Sequence, residues 1–307
     1  MHLQHGMDQA ATGRSKGRES SMSSFELVAE GLAFPEGPVV MQDGSVIVVE
    51  SLGGRITRCW SGRKETIAEP GDGPNGAAFG PDGALYVCNN GGIGPEYFSR
   101  SDRVGRIERI DLATGKVDRL YDHCDGEPLS APNDLVFDVD GRIWFTDMGR
   151  LETRGKQYGG LYCASPDGSG IVRVTGGALS YNGVGLSPDM GTVYVADTYQ
   201  ARVYAFDRRA EAQKPRLVAT VPGMVSLDSL AVTAAGNICV ATIGTHGAIS
   251  TVTPGGELST LPTPDPVTTN IAFGGDGMRD AWITLSMQGR LVRTRWDEPG
   301  LRLACNA

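Results

Sequence analysis

The sequence lacks several features by which large functional classes are recognised. Its 307 residues contain no apolar run of about 18, the length that a membrane-spanning helix needs. Its 28 basic residues are outnumbered by 36 acidic ones, so we expect neither a nucleic-acid surface nor a membrane surface. The acidic excess fits a cation site, and it equally fits ordinary solubility.

Secretion and disulfide signals are also absent. Residues 1–21 are polar and contain no hydrophobic segment of a signal peptide. We therefore expect a disordered extension over residues 1–22, with Met1, Met7 and Met22 as candidate starts, and a cytoplasmic protein. The six cysteines form no C-x-x-C pair and no zinc-like spacing. In a reducing compartment they are expected to be free thiols.

A serine-nucleophile site is not expected either. The G-x-S-x-G pattern at residues 13–17 lacks the strand and the helix that such a nucleophile needs. Outside the extension the sequence has two histidines, His123 and His246, and neither lies near a nucleophile in a suitable motif.

Glycine, in contrast, is abundant, with 43 residues. Some of these glycines occupy the turn of a unit that is repeated six times. In each unit a polar residue begins an apolar strand, a turn glycine follows eight residues later, and a second apolar strand comes next. In the fourth unit the spacing is nine, because Met190 is inserted. The units begin at Glu36, Asn75, Asn133, Asn182, Asp228 and Thr269.

Repeats of about 40 to 58 residues with three or more short strands are typical of propeller blades. The sequence therefore predicts an all-β protein, a single six-bladed β-propeller over residues 23–307. The segment from Phe25 to Gly31 is expected to add a strand to the last blade and close the ring. Two separate β-sandwiches are the alternative.

The polar residue that starts each unit occupies the same position in every blade, and this pattern predicts a cation site. The first strand of each blade lines the central channel of a propeller, so these six residues should form a ring at one depth. Carboxylate and amide oxygens suit a hard divalent cation, and the absence of His and Cys from the ring argues against zinc or copper as the preferred ion. Alternatively, the Asn and Asp side chains satisfy backbone groups at the blade tops.

A second set of polar residues ends the following strand: Glu50, Asn89, Asp147, Asp197 and Thr242. We expect Asp147 and Asp197 to cap backbone groups. Glu50, Asn89 and Asn90 could instead line a pocket.

Four of these elements together resemble the SMP-30/gluconolactonase/LRE-like family. They are Glu36 in Phe-Pro-Glu-Gly-Pro, Asn133 in Pro-Asn-Asp with Trp-Phe-Thr-Asp147, Asn182 in Tyr-Asn-Gly, and Asp228. The resemblance covers about Phe25 to Trp296. It implies a six-bladed propeller and a metal-dependent lactonase acting on a small, sugar-like lactone.

The resemblance also implies residue roles. Glu36, Asn182 and Asp228 match direct metal ligands, and Asn133 matches an amide that contacts the ion or the substrate. Asp228 and Asn133 match the catalytic residues, Asp228 as the general base. One divalent ion is implied, Ca²⁺ on ligand type, while family members also use Zn²⁺, Mg²⁺, Mn²⁺ or Fe²⁺.

Substrate identity is less defined. The animal sugar lactonases carry Arg where Ala131 stands here, so a non-sugar lactone or ester, opened by a hydrolase or lyase, is an alternative. A non-enzymatic calcium-binding propeller is another. The oligomeric state is left open. Lid candidates are residues 91–104 and 150–158, and the predicted pocket residues are Asn75, Asn89, Tyr97, Arg103, Tyr181 and His246.

Overall fold

Six four-stranded antiparallel sheets follow one another along the chain. The computed structural model describes residues 25–92, 103–152, 155–210 and 214–305. The predicted N-terminal extension and Tyr97 lie outside these ranges. Among the described residues the helical structure is one 3-10 turn, Asp276–Met278, and no helix is long and apolar enough to cross a membrane.

The first part of the chain supplies one strand of the last blade and the whole of blades one and two. The entering strand is β1 (Glu26–Glu30). Blade one contains β2 (Pro35–Val40), β3 (Val46–Glu50), β4 (Arg55–Trp60) and β5 (Arg63–Ala68). Blade two contains β6 (Pro74–Phe79), β7 (Leu85–Asn89), β8 (Arg106–Ile110) and β9 (Val117–Tyr121). A short hairpin follows, β10 (His123–Cys124) with β11 (Glu127–Pro128).

Blade three carries an inserted hairpin between its second and third strands. It contains β12 (Pro132–Phe137) and β13 (Ile143–Asp147), then the hairpin β14 (Arg150–Glu152) and β15 (Gly155–Gln157), then β16 (Gly159–Ala164) and β17 (Ile171–Ala178). This hairpin occupies the second of the predicted lid segments.

The remaining three blades have the plain four-stranded form. Blade four contains β18 (Tyr181–Leu186), β19 (Thr192–Asp197), β20 (Arg202–Asp207) and β21 (Arg216–Thr220). Blade five contains β22 (Ser226–Val232), β23 (Ile238–Ile243), β24 (Ala248–Val252) and β25 (Leu258–Pro262). Blade six contains β26 (Thr268–Gly274), β27 (Asp280–Leu285) and β28 (Arg290–Arg295).

The ring closes where the two ends of the chain pair. Strand β1 lies antiparallel to β28, with Glu26 opposite Arg293 and Glu30 opposite Arg290. Each inner strand contacts the inner strand of the next blade, and that of blade one contacts that of blade six. The predicted six-bladed propeller and its closing strand are therefore confirmed, and the two-sandwich alternative is wrong.

The hydrophobic core lies between the blades. Six clusters of buried side chains each combine residues from two neighbouring blades. Middle strands such as β3 and β7 are buried along their whole length, because both of their faces pack against adjacent sheets. This explains their continuous apolar runs. Outer strands such as β5 and β25 are largely exposed.

Every inner strand shifts register at its polar position. In blade three Pro132 pairs with Asp147, and the next pair is Leu135 with Phe145. The same interruption follows Glu36 in blade one and recurs in the other four blades. A β-bulge of this kind re-aims side chains beside a channel. It places Asn133 and Asp134 in a stretch that the ladder does not constrain.

The channel is narrow at this level, because the inner strands approach closely. A Cβ on Gly76 would lie 2.5 Å from the Asp134 Cα and 2.8 Å from the Asn133 carbonyl oxygen. Further along the channel a cavity of about 140 Å³ is lined mainly by apolar inner-strand residues. The C-terminal segment closes that end with Leu301 and Leu303, held by the Leu301 N–H donating to the Val232 carbonyl at 2.8 Å.

Candidate active site

The six predicted ring residues, Glu36, Asn75, Asn133, Asn182, Asp228 and Thr269, lie near the start of their inner strands. All six are buried, with exposed fractions of 8% or less. We call them the polar ring. Because the six inner strands contact one another in a closed cycle, equivalent positions lie at one end of the channel.

Three carboxylates of this region influence one another: Glu36, Asp228 and the neighbouring Asp134. Burial raises the pKa of Glu36 well above its ordinary value, and the charges of Asp228 and Asp134 raise it further. Burial also raises the pKa of Asp228 to about 7, with Asp134 adding to the shift and Asn182 opposing it. The pKa of Asp134 rises to about 7 for the same first reason.

These carboxylates have no cationic partner in the described residues. The groups that shift their pKa values are carboxylates, amides, hydroxyls and backbone N–H groups, and no Lys or Arg is among the principal ones. Like charges gathered in a buried channel are unfavourable unless a cation or protons neutralise them.

Two amides of the polar ring carry oxygen atoms without a partner. Asn133 Oδ1 and Asn182 Oδ1 are buried and accept no hydrogen bond from the described residues. Their nitrogen ends are held: Asn182 Nδ2 donates to Thr198 Oγ1 at 3.1 Å, and Asn133 Nδ2 lies 4.0 Å from Met148 Sδ. A buried polar atom left unpaired lowers the stability of the folded state by about 1–3 kcal/mol. A ligand that binds to both oxygens would offset this cost.

The donor set fits a hard divalent cation. In the described part of the chain, no group of three or more His, Cys, Asp and Glu side chains could hold a metal by itself. A cation here would have to combine the carboxylates of Glu36 and Asp228 with the free amide oxygens of Asn133 and Asn182. All of these donors are oxygen, which suits calcium-like ions better than soft ones.

Asp134 and Asn270 belong to the same cluster, although the sequence repeat does not single them out. Asp134 Oδ1 accepts the Leu135 N–H at 2.8 Å, and the nearby Ser229 side chain and Val184 backbone lower the pKa of its carboxyl group in opposition to burial. Asn270 Nδ2 donates to Glu36 Oε2 at 3.3 Å. Asp134 therefore lies where blades three, four and five meet, and Asn270 positions the Glu36 carboxylate.

Thr269 contributes mainly to the framework of the polar ring. Its hydroxyl lies 2.9 Å from Thr284 Oγ1 and 2.5 Å from Ser286 Oγ, and it donates to the Pro35 carbonyl at 3.3 Å. It thereby ties blade six to blade one behind Glu36.

The second phased set, which we call the return-strand set, is bonded to its own surroundings. Asp147 accepts from the N–H groups of Ser130, Ala131 and Gly149 at 2.7–2.8 Å. Asp197 Oδ1 accepts from the Ser180 hydroxyl at 2.6 Å and the Gln200 N–H at 3.1 Å. These contacts agree with the capping that we expected for both, while Asp197 Oδ2 accepts no hydrogen bond from the described residues.

Glu50 and Asn89, considered as pocket residues, are also held by their own blades. Glu50 accepts from the Ala33 N–H at 2.6 Å and from the guanidinium of Arg55 at 2.7 Å. Asn89 is fully buried, bonds the Gly73 and Gly91 N–H groups through Oδ1, and donates through Nδ2 to the Gly71 carbonyl and Glu108. Asn89 therefore has no atom facing a pocket, which corrects that assignment.

Tyr181 is a second correction. Its ring is buried in the core between blades three and four, 6.0 Å from the centroids of both Tyr204 and Phe206. Alternation along a strand explains this, since a residue directly before a channel-facing position points into the blade.

The other predicted pocket residues lie at the end of the blades that carries the polar ring. Arg103 forms an ion pair with Asp72, beside a surface depression of about 300 Å³. His246 is exposed in the connection after β23. Asn75 is a buried member of the polar ring.

Comparison with known proteins adds three relationships. A family model described as the SMP-30/gluconolactonase/LRE-like region matches residues 34–287. A gluconolactonase of Zymomonas mobilis is 26% identical over an alignment that covers 88% of this chain and 81% of that protein. The lactonase drp35 of Staphylococcus saprophyticus is 28% identical over 60% of this chain and 53% of its own length.

A solved structure shares the architecture. The structure of a gluconolactonase from Xanthomonas campestris superposes with a TM-score of 0.71 and 24% identity, over 88% of each chain. At this identity the likeness concerns the propeller fold.

Proposed function

Because this chain belongs to the SMP-30/gluconolactonase/LRE-like family, we propose that it is a lactonase that opens a small lactone to the hydroxy acid at the polar ring. The observation that carries the proposal is a pair of buried oxygens, on Asn133 and Asn182, that have no partner among the described residues. They accompany carboxylates that no basic side chain of the same residues neutralises. The similarity to a gluconolactonase over most of both chains supports lactone hydrolysis.

Glu36, Asn182 and Asp228 would hold one divalent cation, with Asn133 beside it. When bound, such a cation supplies a Lewis acid that polarises the lactone carbonyl and stabilises the charge that develops on its oxygen. Calcium suits the oxygen donors best, and Mg²⁺, Mn²⁺, Zn²⁺ or Fe²⁺ are the alternatives to compare.

Three residues of the chain are assigned to proton transfer, to orientation of water or substrate, and to support of the site. Asp228 accepts the proton of the attacking water. The Asn133 amide, whose Oδ1 is free, orients that water or the substrate. Asp134 keeps its bond to the Leu135 N–H and lies beside Ser229 and Val184 of the two following blades, next to the strands that carry the other two residues.

A covalent serine route is not part of the proposal. His123 bonds its neighbour Asp122 at 2.8 Å and is exposed, as is His246. In the hydrogen bonds of the described ranges neither histidine has a serine or cysteine partner.

The proposed substrate is a five- or six-membered lactone. A lactone or ester without sugar hydroxyls is the second candidate, because Ala131 offers only a methyl group and its N–H already bonds Asp147.

The test combines metal analysis with a lactone and ester panel, assayed with and without chelator. We expect lactone opening that chelator abolishes and an added divalent ion restores. Glu36→Gln should lower metal content and activity together, whereas Glu65→Gln on the exposed strand β5 should change neither. A metal-replete protein that opens no lactone in the panel would refute the proposal.

A second variant separates binding of the ion from turnover. Asn133→Ala should reduce kcat more than it reduces metal content, because the amide is assigned to water or substrate. A parallel loss of metal and activity would instead make Asn133 a ligand only.

A further inference from the structure

The hairpin inserted in blade three brings an ammonium group to the end of the channel that carries the polar ring. Lys156 on β15 is half-buried, and its Nζ donates to the Met148 carbonyl at 3.2 Å. The same Nζ lies 5.4 Å from the centroid of the Tyr199 ring. Met148 follows β13 of blade three and Tyr199 follows β19 of blade four, so the ammonium bridges the two blades.

Both anchors of Lys156 connect to the polar ring. The Met148 side chain lies 4.0 Å from the amide nitrogen of Asn133. Thr198, adjacent to Tyr199, accepts the amide N–H of Asn182 at 3.1 Å. One anchor residue of the ammonium thus contacts Asn133, and the other directly follows the residue that contacts Asn182; these are the two amides whose oxygens have no partner among the described residues.

The Lys156 ammonium keeps donor capacity that its bond to Met148 does not use. An ammonium has three donors and no acceptor, and one donor is used on Met148. None of the ion pairs within the described ranges includes Lys156. Arg150 at the start of the same hairpin is different, since it bonds the Arg103 and Ser130 carbonyls at 2.6 and 2.7 Å.

The surroundings of the Lys156 ammonium suit it to donate a hydrogen bond to a bound substrate. Burial lowers the pKa of Lys156, and the carboxylates of Asp147 and Asp197 partly oppose this. The exposed Tyr199 ring gives the ammonium an apolar, weakly attractive face. The polar ring offers mostly acceptor oxygens, so Lys156 supplies the hydrogen-bond donor that a hydroxylated substrate would need.

We propose that Lys156 is a specificity-determining residue, which donates a hydrogen bond from Nζ to a hydroxyl oxygen of the lactone and so selects hydroxylated lactones. This inference rests on the proposed lactonase function. The same ammonium would contact the carboxylate of the hydroxy-acid product.

The test compares two six-membered lactones, δ-gluconolactone with hydroxyls and δ-valerolactone without them. The readout is the ratio of their kcat/KM values in the metal-replete full chain. Lys156→Met should lower this ratio by about 10- to 100-fold, as expected for loss of a hydrogen bond to a charged donor. The change should lie mainly in the KM for δ-gluconolactone. Lys156→Arg, which retains the charge, should recover part of the ratio.

Lys64→Met is the matched control. Lys64 Nζ also donates to backbone carbonyls, those of Glu30 at 2.6 Å and Gly31 at 3.0 Å, but it lies on the outer strand β5. This variant should leave the ratio unchanged. Calorimetric titration with gluconate gives a readout apart from turnover, and Lys156→Met should weaken gluconate binding.

Three outcomes would overturn the inference. An unchanged ratio in Lys156→Met, with Asp228→Asn abolishing the opening of both lactones, would refute the role of Lys156 and leave the proposed function standing. An equal loss on both lactones would mean that Lys156 only supports the site. A wild-type protein that opens neither lactone and binds no gluconate would overturn the inference, and it would overturn the proposed function as well if no other lactone of the panel were opened.

Discussion

Two sets of polar residues repeat around the propeller, the polar ring at the start of the inner strands and the return-strand set at the end of the strands that follow. Both are buried at every position. In the return-strand set, Asp147 accepts three backbone N–H groups and Asn89 bonds four groups of its own blade. In the polar ring, the Oδ1 atoms of Asn133 and Asn182 have no partner within the described part of the chain.

We propose that unpaired amide oxygens, and not burial or repetition, mark the residues of the proposed site. One framework carboxylate departs from this contrast, since Asp197 Oδ2 accepts no hydrogen bond from the described residues. A buried polar group that is fully bonded stabilises its surroundings. A buried group that is left unpaired costs free energy, and ligand binding can recover that cost. Four predictions test this distinction.

The largest effect is expected from removing a charge of the polar ring. Asp228→Asn should lower kcat/KM for a lactone by at least about 100-fold, because a proton acceptor is lost. The metal-free protein should unfold at a temperature no lower than wild type, since a buried like charge disappears. Activity assays and thermal unfolding in chelator check both parts. A clear loss of stability would place Asp228 with the framework residues.

The pH dependence of the metal-free protein should be the next largest effect. Burial raises the pKa values of Asp134 and Asp228 to about 7, against about 3.9 in an unfolded chain. The folded state therefore binds more protons over this range, and its free energy of unfolding should fall as the pH rises from about 4 to about 7.

Urea unfolding at pH 5 and pH 7.5, in chelator and in excess divalent ion, provides the measurement. Added ion should reduce the loss at pH 7.5, because it stabilises the charged carboxylates. Equal stability at both pH values in chelator would contradict the view that these charges are uncompensated.

A capping residue should show the opposite pattern. Asp147→Asn should lower the free energy of unfolding by about 1.5–3 kcal/mol, because charge-assisted bonds to backbone N–H groups are lost. Its effect on kcat/KM of the folded protein should be smaller than that of Asp228→Asn. Denaturant unfolding with the lactone assay checks this, and a variant that is stable but inactive would move Asp147 into the site.

The smallest effect is expected at the neutral member of the return-strand set. Thr242 Oγ1 donates to Ser250 Oγ at 2.8 Å and lies 3.2 Å from the Val240 carbonyl. Thr242→Val should cost about 0.5–1.5 kcal/mol of unfolding free energy and leave activity unchanged. A larger loss would show that neutral and charged members support the blades equally.

Much of the fold could be predicted from the sequence, because each blade repeats the same polar position and the same turn. The common position of Glu36, Asn133, Asn182 and Asp228 reflects that repeat directly. The closing strand was also predictable, since Phe25–Gly31 is an apolar segment without a partner among its sequence neighbours.

Other features do not follow from the repeat. In β12 the bulge brings Asp134 to the channel directly after Asn133, which strict strand alternation would not allow. Tyr181 was assigned to the pocket only because it neighbours Asn182, although alternation turns its ring into the core. Lys156 lies in an insertion, where no repeat predicts a position, and its role depends on Tyr199 of another blade.

The pairing of β1 with β28 also affects how the chain is made. Glu30 leaves the ribosome long before its partner Arg290, and at 5–20 residues per second the wait is roughly 13–50 s. During that interval β1 has an unpaired edge, and such edges can join strands of other molecules. The charged side chains of Glu26 and Glu30 on β1 would oppose such pairing. The strand that closes the ring therefore also carries charges that limit aggregation before β28 has been synthesised.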